Sequence, residues 1–74
     1  MVKVTDKNLV DFIMRYEEGQ LDNEAVIELF SHLIKSGKAW SLQGSYGRSA
    51  MNFIKAGIID DKGKINRKKL EEVI

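Results

Sequence analysis

Apolar residues recur every three or four positions through most of the chain. In the first such stretch Leu9, Phe12 or Ile13, and Tyr16 share a helical face, and Val10 and Met14 widen it. The spacing predicts a helix running to about Glu18, stopped by Gly19. Thr5 or Asp6 is its expected N-cap, a side-chain oxygen meeting first-turn N–H groups that have no intrahelical partner. The second pattern is clearer. Val26, Leu29, Phe30, Leu33 and Ile34 make a broad stripe flanked by Ala25 and Ile27, wide enough to touch more than one neighbour. Asp22 is the expected cap, Glu24 suits the positive end of the helix dipole, and Lys35 and then Gly37 mark the end.

After Gly37 the segment "KAWSLQG" is expected to form one or two short helical turns, with Trp40 reaching the core. Ser45 is then the expected cap of a third helix, "YGRSAMNFIKA". Its inward positions are Ala50, Phe53 and Ile54, and Gly57 closes it. The period changes at "GIIDDKGKIN". Gly63 suits a tight turn there, and the segment reads either as a minimal hairpin or as a loop with three apolar plugs. Asn66 caps a last short helix, "RKKLEEVI", with Leu70, Val73 and Ile74 inward. The pattern predicts an all-α fold, a compact bundle of four or five short helices with at most a minimal hairpin before the last one.

A chain of 74 residues is expected to be a single domain, residues 1–74, because two cores do not fit. Without Cys it has no disulfide and no thiolate chemistry, which fits a reducing compartment. No apolar run is long enough to span a membrane, and "MVKVTDKN" has no signal-peptide core.

The net charge of +1 conceals an asymmetry. Residues 1–30 carry three basic and seven acidic side chains, whereas residues 31–59 carry Lys35, Lys38, Arg48 and Lys55 and no acid. Either the middle presents a basic face to phosphate or an acidic protein surface, or it packs beside the acidic half and the charges cancel internally.

The basic segment contains the most distinctive stretch, "KAWSLQGSYGRSAMNFIKAG". Gly44 falls at a corner between helices. Gly47 falls in the first turn of the third helix, where glycine costs up to about 1 kcal/mol against Ala. Either a packed neighbour or a bound partner compensates. Trp40, Gly44 and Gly47 are the expected structural corner, with base or side-chain stacking as the other role for Trp40. The candidate protein- or anion-binding residues are Arg48, Tyr46, Ser45, Gln43, Lys38 and Lys55. Arg48 suits carboxylate or phosphate and could join Ser45 and the free helix-start N–H groups in an anion pocket. Its alternative is an ion pair with an acid of the first half. "LQGSYGRS" has neither P-loop nor dinucleotide-fingerprint spacing.

The same residues resemble a family of small bacteriophage-encoded proteins. Leu29, Phe30, Leu33, Ile34, Gly37, Trp40, Leu42, Gln43, Gly44, Tyr46, Gly47, Arg48, Ala50, Ile54, Ala56 and Gly57 carry the resemblance, which spans Leu29 to Ile59. It implies a viral accessory protein acting in a host bacterial cytoplasm, but brings no activity with it.

Catalytic chemistry finds no purchase. His32 is the only His and lies in the apolar second helix. Asp60, Asp61 and Gly63 fail the calcium-loop register, since Lys69 would take the place of the bidentate Glu. No enzyme activity, cofactor or metal is expected. The leading expectation is an accessory protein that binds and modulates a host or viral protein, including inhibition of a host enzyme or defence complex. It calls for an exposed patch with aromatic or Met side chains, with Tyr46, Met51 and Tyr16 as candidates. The alternatives are a small helical nucleic-acid binder using residues 31–59 and a self-associating structural protein, with a homodimer as one form.

Overall fold

The computed structural model describes residues 4–42 and 44–73. They form four α-helices: α1 (Leu9–Glu17), α2 (Asn23–Ser36), α3 (Gly44–Lys55) and α4 (Arg67–Val73). A 3-10 turn, Lys38–Trp40, joins α2 to α3. The protein is an all-α bundle measuring 29 × 24 × 19 Å.

The second helix is the hub, and it forms as its sequence predicts. The Asp22 carboxylate accepts from the Ala25 N–H at 2.8 Å, and Gly37 ends the helix in the left-handed region at φ 80°. Leu29, Phe30 and Leu33 are fully enclosed, with Ala25, Ile27 and Ile34 buried beside them. Tyr16, Tyr46 and Phe53 surround Phe30, with ring centroids 5.5, 6.1 and 5.3 Å away. Such aromatic pairs add about 0.5–1.5 kcal/mol each beyond the area they bury.

At the first helix the structure corrects the expected start. Neither Thr5 nor Asp6 caps it. Residues Thr5 to Asn8 form a separate turn, in which the Asn8 side chain accepts from the Thr5 N–H at 2.7 Å, and α1 begins at Leu9. Leu9 and Phe12 face inward, but Val10 and Met14 point to solvent.

At the end of α3 the expected hairpin reduces to one antiparallel bridge, Ile59 to Ile65, and the described residues contain no strand. Ile59 is wholly enclosed. The Asp60 carboxylate holds the turn by accepting from the N–H groups of Lys62 (2.9 Å) and Lys64 (2.8 Å), which keep it below the ordinary carboxylate range. Gly63, at φ 89°, lies against the backbone of α2, where the buried Ser31 hydroxyl donates to its carbonyl. Asn66 caps α4 as expected, accepting from the Lys69 N–H at 3.1 Å, and Leu70 turns inward. The expected inward side chain of Val73, and Ile74, lie outside what is described.

Candidate functional site

The third helix has two unlike faces. Tyr46 and Ala50 are buried and Phe53 packs against the core, whereas Gly44, Arg48, Met51, Asn52 and Lys55 face out. These outward residues recur at helical spacing and form a stripe the length of the helix. The 3-10 turn sets the edge of that stripe. Its Ala39 goes into the core and its Trp40 does not, leaving 49% of the indole residue exposed. Trp40 is therefore not the expected core anchor. A 3-10 turn offers few inward positions, and the small side chain suits the one between α2 and α3. An ideal Cβ on Gly47 would sit 3.6 Å from the Ala39 carbonyl oxygen and 3.8 Å from Trp40 Cε3. The glycine thus forms a floor beside the indole ring.

Together Trp40, Gly44, Gly47, Arg48, Met51, Asn52 and Lys55 line a shallow groove of about 520 Å³. None of these residues is acidic. Met51, at 42% exposure, lies one turn from Arg48 and one turn from Lys55. Neither cation pairs with a described carboxylate. The expected alternative role of Arg48, an internal tie to the acidic half, is not what the structure shows.

Lys38 and Arg67 are committed elsewhere. Asp6 lies 3.7 Å from Lys38 Nζ and 3.0 Å from His32 Nε2. The hydrogen bond with His32, and then the Lys38 charge, hold the Asp6 carboxyl below its ordinary range. Arg67 reaches Glu28 at 3.0 Å and Glu24 at 3.9 Å. Internal neutralisation therefore applies to Lys38 but leaves Arg48 and Lys55 available. A second groove of similar volume includes Ile54, Ile59, Ile65 and Lys64, but its Asp60 and Arg67 already serve the turn and α2.

The remaining sequence candidates separate. Tyr46 is buried, and its hydroxyl donates to Glu17 Oε2 at 2.7 Å, tying α3 to α1. Burial first, and the adjacent Glu17 carboxylate second, push its phenol well above the ordinary range. Tyr46 thus ties two helices together from within the core. Tyr16 is half-buried against Phe30, so of the three residues considered for an exposed patch only Met51 belongs to one. Ser45 does not cap α3, because the helix starts at Gly44. It sits in the first turn, outside the groove lining that includes Arg48. Gln43 lies outside the described residues. Asn52 is the lining residue that sequence reasoning missed, and its outward spacing from Arg48 was the available signal.

The described residues contain no group of three or more His, Cys, Asp or Glu placed to hold a metal, and no helix long and apolar enough to cross a membrane. A family model described as a domain of unknown function, DUF7417, matches residues 1–74. The chain belongs to this family. No curated protein and no solved structure matches it. The DUF7417 match takes in α1 and α4 as well as the central segment. In this DUF7417 chain the α3 groove is the place where aromatic, thioether and cationic groups meet in the open.

Proposed function

We propose that this protein is a small binding module that docks on a protein partner through the α3 groove and modulates it. One observation carries the reading: Trp40 and Met51 stand exposed on a surface whose cations have no described carboxylate partner. Exposed aromatic and Met side chains are the ordinary anchors of protein interfaces, and a free Arg is the ordinary polar complement. The groove offers shape and charge and no assembled catalytic set, which favours binding over catalysis. The sequence resemblance supplies a setting, a phage accessory protein in a bacterial cytoplasm acting on a host or viral protein. Inhibition of a host enzyme or defence complex is one form of that action.

Nucleic acid is the second reading, because an open indole beside Arg48 and Lys55 also suits base stacking with phosphate contacts. Protein binding is preferred on numbers of free cations. Backbone binding draws on several phosphate contacts, whereas the groove brings only Arg48 and Lys55 to the open indole. Capture from bacterial lysate, with and without nuclease, separates the two. The wild-type chain is expected to retain a stoichiometric protein after nuclease treatment, and Met51→Glu to lose it. Recovery of nucleic acid alone, released by nuclease or moderate salt, would overturn the reading. A molecular mass that rises with concentration and a bait that retains only itself would replace it with self-assembly.

A further inference from the structure

We infer that the element seated in the α3 groove is an acidic amphipathic helix of the partner protein, with one large apolar side chain between two carboxylates. The inference rests on the docking reading above and specifies its occupant. Charge comes first: the lining holds two cations and no acid, and neither cation is neutralised by a described carboxylate. A partner of opposite sign gains pairing there, and a basic partner meets repulsion.

Spacing comes second. Arg48 and Lys55 are seven residues apart on one helix, roughly 10.5 Å at 1.5 Å per residue. Two carboxylates about two turns apart on a partner helix match that separation, with an apolar residue between them lying over Met51 and beside Trp40. Backbone geometry comes third. Gly44 and Gly47 have no side chain, and a Cβ on Gly44 would have nothing within 4 Å. A crossing helix can therefore approach toward the short end of the usual interaxial range of about 8–10 Å. The competing peptide mode, strand addition, needs an exposed sheet edge, and the described residues contain no strand.

Three fluorescently labelled probes test this by anisotropy against the full chain. One is an Ala-rich helical peptide with a central Leu and Glu one turn to either side. The others are its Lys-for-Glu counterpart and a single-stranded DNA. Exposed ion pairs are individually weak and like-charge contacts cost similar amounts, so two pairs gained against two repulsions make the Glu peptide expected to bind about tenfold more tightly than the Lys peptide. The double variant Arg48→Glu/Lys55→Glu is expected to reverse that preference while melting like the wild type. Equal binding of the peptides, no binding of either, or tighter binding of the DNA would each overturn the acidic-helix occupant. The lysate capture distinguishes the two levels of failure. If the Glu peptide does not bind but Met51→Glu still abolishes capture, docking at the groove stands and the acidic helix falls. If Met51→Glu leaves capture intact, the groove itself is the wrong surface.

Discussion

Replacing Gly63 with Ala should be among the most damaging one-carbon changes available to this chain. Two costs act together. At φ 89° the backbone lies where an L side chain costs about 1–2 kcal/mol. The added Cβ would also stand 2.7 Å from the Ser31 carbonyl oxygen and 2.9 Å from the backbone nitrogen of Lys35. Those atoms belong to the α2 backbone, which cannot rotate aside as a side-chain tip can. The turn must move instead, at an overpacking cost of about 1–3 kcal/mol. That movement strains the buried Ser31 hydrogen bond, worth about 1 kcal/mol, and shifts the enclosed Ile59. Together these reach about 3–6 kcal/mol, against a total stability of about 4–11 kcal/mol for a chain of this length. Gly19→Ala is the control, since it has a similar φ of 71° and nothing within 4 Å of the new Cβ. Melting followed by far-UV circular dichroism should place Gly63→Ala at least about 10 °C below Gly19→Ala. Equal melting temperatures would refute the argument, because only the clash distinguishes the two sites.

Trp40→Ala should cost only about 1–2 kcal/mol in urea denaturation, since half the residue is already in water, and a loss of cooperative folding would contradict the assigned exposure. Tyr46→Phe removes the hydrogen bond to Glu17 and should cost about 1–2 kcal/mol at neutral pH. The Tyr46 phenol is raised on folding, so its contribution is complete below about pH 10 and is lost as pH rises toward the folded value. The stability gap between wild type and Tyr46→Phe should therefore narrow above about pH 10, and a constant gap in alkaline melts would show that the phenol is not so held. Asp6 is lowered on folding, so its hold on His32 and Lys38 is present above about pH 4 and is lost as pH falls through the folded value. Hydrogen exchange at Asn8 should accelerate over that acid range in the wild type and be pH-independent beyond the intrinsic rate in Asp6→Asn.

Wherever local chemistry decided the outcome, the sequence was readable. Asp22, Gly37, Gly63 and Asn66 each do what their side chain, or the lack of one, dictates, and the α2 stripe is the core it resembled. The misreadings arose where tertiary packing chose between neighbours. Trp40 is the larger hydrophobe, but Ala39 is the residue of the 3-10 turn that packs into the core. Placing the cap of α3 at Ser45 concealed Tyr46 as an inward residue, although Tyr46, Ala50 and Phe53 share the helical period. The charge of the middle segment was visible. Which cations remain unpaired was not, because Lys38 meets Asp6 only after α1 and α2 have packed.

The position of the sole tryptophan also determines what light can report about this molecule. Its indole already meets water in the folded chain, so denaturation should change its emission little, and a melt followed at that wavelength would understate unfolding. A partner that covers the ring beside Met51 should shift the emission toward the blue. The chain thus carries a built-in optical probe of occupancy that is nearly silent about folding, one that needs no attached dye.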